Sequence, residues 1–221
     1  MFKNNTFLTD TRITGLLYLG LAVTGIFVFI FAKGAVYVSG DALATNSHLL
    51  EKEMLARVGV AVELLMVAFQ ALVALWFYKL FSRVNSFASV TILAFGMVNA
   101  IMILVSSALW LGALTAAIAG ESVAIVYNLF NLHELIWLVA HLFFGLWLVP
   151  IGYLFGQVMK SKVLAKLLYI GGVGYLLSAL VLILLPDQIT LDGILTMPAT
   201  IGEFWVIGYL LSRPHLGTKN S

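Results

Sequence analysis

Six long hydrophobic stretches, separated by shorter polar segments, run along the chain. They cover residues 13–32, 58–78, 87–111, 128–155, 163–185 and 194–211. A helix needs about 20 apolar residues to cross the hydrocarbon core of a bilayer. A closed β-barrel is the other structure that can span a bilayer, but its strands are short and alternate apolar with polar residues, whereas these stretches are continuous. The pattern predicts an all-α, polytopic membrane protein, with residues 1–221 forming a single bundle of six transmembrane helices.

Basic residues are distributed unequally between the two ends of these stretches. The residues that fall on one side are Lys3, Arg12, Lys79, Arg83, Lys160, Lys162, Lys166, Arg213 and Lys219. The residues that fall on the other side are Lys33, Lys52 and Arg57. Loops rich in Lys and Arg stay in the cytoplasm, so both termini are predicted to be cytoplasmic.

The segments between the stretches predict the outer loops. The longest is residues 33–57, and within it Asn46–Arg57 has a helix-forming composition and mixed charge, which fits an amphipathic helix or a solvated loop. The apolar run that begins at Val123 is too long for a simple span. Glu121–Asn128 is therefore expected to be a loop or an interfacial turn, with the fourth span starting at Asn128.

Composition narrows the class of protein. The chain is 62% hydrophobic and 10% charged, whereas soluble domains are about 45–50% apolar and about 25% charged. This excludes a soluble enzyme, a disordered chain and a secreted disulfide scaffold. The chain has no cysteine, which excludes thiol catalysis and cysteine-ligated metal sites. A net charge of +2 without a basic patch argues against nucleic acid as a partner.

Polar residues inside the apolar stretches are the candidate functional residues. Placing a charged side chain in the membrane costs roughly 2.5–3.5 kcal/mol or more, so such residues are rare and usually functional. Residues seven apart in a helix lie on one face, within about 20° of alignment. Four predicted spans carry such a polar pair: Glu63 with Gln70, Asn99 with Ser106, Glu134 with His141, and Thr196 with Glu203. The direction of each span then predicts two layers, an outer layer of Glu63, Ser106, Glu134 and Thr196 and a layer near the midplane of Gln70, Asn99, His141 and Glu203.

These faces are expected to converge on one polar cavity that opens to the outside. The predicted ligand-binding residues are Glu203, His141, Glu63, Glu134, Gln70 and Asn99. Glu203 is expected to be the deepest carboxylate and could share a proton with His141. Glu63 and Glu134 lie nearer the interface, where they could simply reach water. His133 lies about 100° around the helix from Glu134 and is expected to be an interfacial histidine whose hydrogen bonds are satisfied.

Two other interpretations of these polar residues stay open. His141, Glu203 and Glu63 could hold a metal in a membrane-embedded enzyme, although no metal-binding motif, nucleophile motif or phosphate-binding loop is present. Alternatively, the polar residues could only hydrogen-bond between helices in a structural or accessory protein. No cofactor and no catalytic residue can be predicted.

Several short motifs together resemble the uncharacterised bacterial membrane family known as domain of unknown function 4386. They are Arg12–Leu19, His133, Phe143–Leu146, Gly152–Leu154, Gly172–Leu176, Gly202–Glu203 with Trp205, and Leu210–Leu211. The resemblance implies a small multi-pass protein of the bacterial cytoplasmic membrane and implies no activity. Similar sequences have Pro and Gly after the fourth span, where this chain has Ser161–Lys166, so the resemblance does not imply the shape of this turn.

The sequence therefore favours a membrane protein that binds or transports a small ligand in an outward-facing cavity. Its expected partners are membrane lipids and a small-molecule ligand, with no nucleic acid. Six spans are few for alternating access, so transport would require a homodimer.

Overall fold

A computed structural model describes residues 3–159, 161–185 and 188–212, and these are almost entirely helical. In chain order the elements are α1 (Lys3–Ile26), a π-helix (Phe27–Lys33), α2 (Gly34–Val36), α3 (Ala42–Glu51), α4 (Glu53–Phe81), α5 (Ser86–Ile118), α6 (Val123–Met159), α7 (Lys162–Leu184) and α8 (Ile189–Ser212). No strand occurs among the described residues. The predicted all-α class is confirmed.

Six helical segments are long and apolar enough to cross a membrane. They are Asp10–Val36, Glu53–Phe81, Ser86–Ile118, Val123–Val158, Lys162–Leu184 and Thr190–Ser212. Each coincides with one predicted stretch. The protein is therefore a multi-pass membrane protein, and many large apolar side chains lie on its surface, where lipid can cover them.

The connections before the second span and before the fourth span contain fewer non-helical residues than predicted. The first span continues through the π-helix to Val36, so Lys33 is helical rather than part of a loop. Most of the segment Asn46–Arg57 is also helical, with α4 beginning at Glu53. A solvated loop is therefore the wrong interpretation. The Asp41 carboxylate begins α3 by accepting a hydrogen bond from the Ala44 amide (2.9 Å).

The prediction of a loop or turn through Asn128 is wrong. Gly120 has a φ of 76°, which ends α5, and the Ser122 carbonyl accepts the Val126 amide as α6 begins. No glycine or proline lies between Val123 and Asn128, so the helix includes Asn128, and with 37 residues α6 is longer than one bilayer thickness. At the start of α7, the Ser161 hydroxyl accepts a hydrogen bond from the Leu164 amide (3.3 Å) and so caps the helix.

The chain forms two compact units. The first contains the described residues of 1–19, 70–99 and 139–221, and the second contains residues 20–69 and 100–138. In the first unit, buried aromatic rings of α1, α4 and α6 pack on one another; Phe77 lies 5.7 Å from Tyr18 and 6.2 Å from Trp147 between ring centroids. In the second unit, Trp110 and Phe130 are fully buried in the apolar core.

Candidate functional site

The Glu63 carboxylate of α4 lies at the centre of a polar cluster in the second unit. Its Oε1 atom accepts hydrogen bonds from Trp137 Nε1 (3.0 Å) and Ser106 Oγ (3.4 Å) and lies 3.2 Å from His133 Nε2. Its Oε2 atom is buried and has no hydrogen-bond partner in the part of the chain that the structure describes. The expectation that Glu63 reaches water is wrong, because the side chain is fully buried under these partners.

His133 of α6 connects two carboxylates. Its Nε2 faces Glu63, and its Nδ1 lies 3.1 Å from Glu134 Oε1. The ring is fully buried and packs edge-on against Trp110 and at a tilt against Phe130, with centroids 5.3 and 5.2 Å away. The expected satisfaction of the His133 hydrogen bonds is thus observed, and this aromatic packing removes the ring from solvent.

An ion pair lies at the more exposed edge of the cluster. Lys33, the last residue of the π-helix, donates to Glu134 Oε2 at 2.9 Å. The two side chains are 18% and 24% exposed, in contrast to the fully buried Glu63 and His133. The Lys33 ammonium also lies 4.8 Å from the centre of the Phe29 ring. We call Lys33, Glu63, Ser106, His133, Glu134 and Trp137 the α4–α6 cluster.

The geometry of His133 indicates how many protons Glu63, His133 and Glu134 hold together. A neutral imidazole carries one N–H, yet both ring nitrogens lie within hydrogen-bond distance of a carboxylate oxygen. Both hydrogen bonds can form only if the ring is protonated or if one of the two carboxyl groups is. With that extra proton, Glu63, His133 and Glu134 carry a net charge of −1, which Lys33 balances.

Tyr37, just beyond the first span, packs on the same side of the second unit. Its ring stacks on Phe130 (5.0 Å) and Tyr127 (6.1 Å between centroids). Burial, together with a hydrogen bond to Tyr127, raises the pKa of Tyr37 above its ordinary value. Tyr37 therefore stays neutral and acts as a hydrogen-bond donor, 3.5 Å from the Asn131 side-chain oxygen.

Glu203 belongs to the first unit and has a tyrosine as its partner. The Tyr18 hydroxyl donates to Glu203 Oε1 at 2.6 Å, across 185 positions of sequence. The Tyr18 ring is buried against Phe77 and Trp147, which fixes the position of its hydroxyl. No Lys or Arg side chain pairs with Glu203 among the described residues.

His141 has partners of its own in the first unit. Its Nδ1 lies 3.0 Å from Ser178 Oγ of α7, and the Ser178 hydroxyl donates to the Asp192 carboxylate of α8. His141 Nδ1 lies 3.9 Å from Asp192 Oδ1. The serine lies between the histidine and the aspartate, an order opposite to that of a catalytic triad, in which the histidine is central. No direct hydrogen bond joins His141 to Glu203 in the described residues.

The amide side chains predicted for the cavity are buried in the first unit. Gln70 donates to the Gly96 carbonyl at 3.4 Å, which is a bond between α4 and α5. The Asn99 amide is buried, and neither its nitrogen nor its oxygen has a partner within the described segments. Thr196, expected in the outer layer, donates to the Asp192 carbonyl of its own helix.

The metal-enzyme interpretation gains no support from the donor geometry. Within residues 3–159, 161–185 and 188–212, no group of three or more His, Asp or Glu side chains is arranged to hold a metal ion. His133 faces Glu63 and Glu134, but the other side chains that contact these carboxylates include Lys33 and Trp137, which donate hydrogen bonds and do not bind metals.

Sequence reasoning missed His133, Lys33 and Asp192 as members of polar clusters. A signal for His133 was available, because it directly precedes Glu134, which was expected in the same layer as Glu63. Lys33 and Asp192 were assigned to loops, and only the observed length of the helices brings them into the spans.

One family comparison identifies the chain. The sequence model of the family described as domain of unknown function (DUF4386) matches residues 13–213. The chain belongs to this family. The DUF4386 match extends from the first span to the end of the sixth, so all six candidate spans lie within it apart from the first residues of the first. No curated protein and no solved structure matches the chain.

Proposed function

We propose that this DUF4386 protein binds a small cationic ligand inside the membrane at Glu63 and transports it, working in the bacterial cytoplasmic membrane as a single six-helix domain with both termini inside. The observation that carries the proposal is the asymmetry of the Glu63 carboxylate. Trp137 and Ser106 donate to Oε1 and His133 Nε2 lies 3.2 Å from it, while Oε2 is buried without a partner in the described part of the chain.

This asymmetry suits a ligand that donates to Oε2. A buried acceptor without a partner costs about 1–3 kcal/mol, and more when it is charged. The donors on Oε1 hold the carboxylate in one orientation before a ligand arrives, so little ordering is required on binding. An ammonium group could donate a hydrogen bond to Oε2, and a desolvated monovalent cation could coordinate it.

Charge balance indicates what must accompany such binding. With Lys33 the α4–α6 cluster is neutral when it holds one extra proton on Glu63, His133 or Glu134. A bound monovalent cation would leave an excess positive charge in a medium of low dielectric constant. We therefore infer that the cation replaces this proton, which can leave through His133 and the partly exposed Glu134.

Glu203 is a second carboxylate within a span and, unlike Glu63, it is only partly buried. It is held by the neutral Tyr18 hydroxyl, and no lysine or arginine balances its charge among the described residues. Neutral donors orient a carboxylate without cancelling its charge. We therefore propose Glu203 as a second candidate cation site, within the first unit.

Cation binding can be measured through Trp137, because its indole donates directly to Glu63. The protein in lipid nanodiscs is titrated with NaCl, KCl and NH4Cl, with N-methylglucamine chloride matching the ionic strength. We expect a saturable change in tryptophan fluorescence with at least one small cation and none with N-methylglucamine. Trp137→Phe should remove the signal.

Two substitutions on α4 separate a specific effect from a general one. Glu63→Gln keeps the size and the acceptor oxygen but removes the charge, and should abolish the saturable response. Glu53→Gln removes an exposed carboxylate that pairs with Arg57, and should leave the response unchanged. No response to any cation in the wild type, or an equal response in Glu63→Gln, would contradict the proposal and favour a purely structural polar cluster.

A further inference from the structure

An apolar cavity of about 470 Å³ lies in the first unit, where α5, α6 and α7 meet. Its walls include Asn85, Thr91, Phe95, Val149, Tyr153 and Tyr169. Along α5 it extends from Asn85 to Phe95, a rise of about 15 Å at 1.5 Å per residue. The cavity is therefore long and narrow enough for an extended hydrocarbon chain, and it shares no residue with the α4–α6 cluster.

The polar groups of the cavity are gathered at one end. Asn85 precedes α5 and donates to the Tyr153 hydroxyl at 3.4 Å, and Tyr169 comes from the first two turns of α7. Deeper in the cavity, the Thr91 hydroxyl is already bonded to the Phe87 carbonyl (2.9 Å). The interior thus offers no free polar group, so its occupant must be apolar inside and polar at this end.

Uncompensated positive charge lies next to the polar end. Arg83 is two residues before Asn85, and Lys162 and Lys166 share a helical face with Tyr169 at spacings of seven and three residues. All three cations are exposed and form no ion pair with a described carboxylate. Lys79, in contrast, pairs with Asp10 at 2.7 Å.

We propose that this cavity is a binding site for one anionic phospholipid. One acyl chain occupies the cavity, and the headgroup phosphate is held by Arg83 and Lys166 beside the Asn85–Tyr153 pair. Charge complementarity selects an anionic lipid over a zwitterionic one, and basic residues at the cytoplasmic leaflet meet such lipids there. The site goes beyond the proposed cation binding and does not depend on it.

The proposal can be tested by native mass spectrometry of the protein in detergent. The purified protein is titrated with palmitoyl-oleoyl phosphatidylglycerol or phosphatidylcholine. We expect one phosphatidylglycerol to be retained at collision energies that remove phosphatidylcholine, with at least fivefold greater occupancy. The Arg83→Gln/Lys166→Gln double variant should lose this preference, and Val149→Trp, which fills the cavity, should reduce the occupancy of both lipids.

Two matched variants control for charge and for surface tryptophan. Lys79→Gln removes a cation that Asp10 already balances, and Ile170→Trp adds an indole at an exposed position of α7 outside the cavity. Both should bind phosphatidylglycerol as the wild type does. Equal retention of the two lipids by the wild type would overturn the proposal, and so would a preference for phosphatidylglycerol that survives in the double variant. A loss of this preference in Lys79→Gln equal to that in the double variant would also overturn it.

Discussion

At the scale of single residues, the decisive feature is that Glu63 and Glu134 face opposite nitrogens of the same imidazole. His133 links a fully buried carboxylate to one that is 24% exposed. Hydrogen bonds at both nitrogens require one proton more than a neutral ring with two carboxylates provides. This proton is the only mobile positive charge that the cluster can give up while Lys33 keeps its own.

We therefore predict that cation binding at Glu63 releases a proton. The cation that gives the fluorescence response is titrated by isothermal titration calorimetry in two buffers of different ionisation enthalpy at one pH. The difference between the two binding enthalpies should correspond to the release of about one proton per bound ion. His133→Asn retains a polar side chain but cannot carry the proton, and should bind with heats that are less dependent on the buffer. Buffer-independent heats in the wild type would contradict the exchange of cation for proton.

Residue spacing predicted part of this cluster and missed the rest. Glu63, Ser106 and Glu134 were expected in one layer, and all three contact or adjoin His133. The contact of Lys33 with this cluster could not be predicted from α-helical periodicity. The π-helix that ends at Lys33 changes the number of residues per turn and so shifts the helix face on which the lysine lies. The partners of Glu203 and His141 could not be predicted either, since Tyr18 and Ser178 are common residues without a distinguishing pattern.

At the scale of elements, glycines set how closely α7 and α8 pack. A Cβ added to Gly171 would lie 2.5 Å from Ala199 Cα, and one added to Gly174 would collide with the Leu195 carbonyl oxygen. Both obstacles are backbone atoms of α8, which cannot move aside as a flexible side chain could. Small residues at a membrane helix interface permit this close approach, and the approach provides the van der Waals contact that holds the helices together.

Gly174→Ala should therefore destabilise the protein, at a cost of about 1–3 kcal/mol or more for overpacking. Gly208→Ala on α8 is the matched control, because a Cβ there meets no atom within 4 Å. Its effect should stay within about 0.5 kcal/mol. Unfolding in mixed micelles with increasing SDS, followed by circular dichroism, measures both. Equal stability of the two variants would show that α7 and α8 do not pack as closely as described.

The lengths of elements were harder to predict than their number. Hydropathy alone identified all six spans, because a membrane-spanning helix must be apolar along its whole length. The start of α6 at Val123 depends instead on the positive φ of Gly120 and on the turn at Ser122. Hydropathy contains no information about such backbone conformations, and so the predicted fourth span began at Asn128 instead of Val123.

At the scale of the whole molecule, the orientation of the chain in the membrane decides which side of the membrane lies nearer to the α4–α6 cluster. It also decides which leaflet supplies the lipid. The unequal distribution of lysine and arginine predicts that the residues between α2 and α3 and between α5 and α6 lie outside. The turn between α4 and α5 is then cytoplasmic. Ser39, Glu121 and Val84 are exposed positions in these three connections. The orientation can be measured directly because the chain contains no cysteine.

Single cysteines at these positions should therefore react differently with a membrane-impermeant maleimide applied to intact cells. Ser39→Cys and Glu121→Cys should be labelled at once, whereas Val84→Cys should be labelled only after the membrane is permeabilised. The unsubstituted chain should remain unlabelled in both conditions. The reverse pattern would invert the protein and place Arg83 and Lys166 at the outer leaflet, contrary to the orientation that the distribution of charge predicts. Labelling of all three in intact cells would mean that the spans do not alternate as the six helices require.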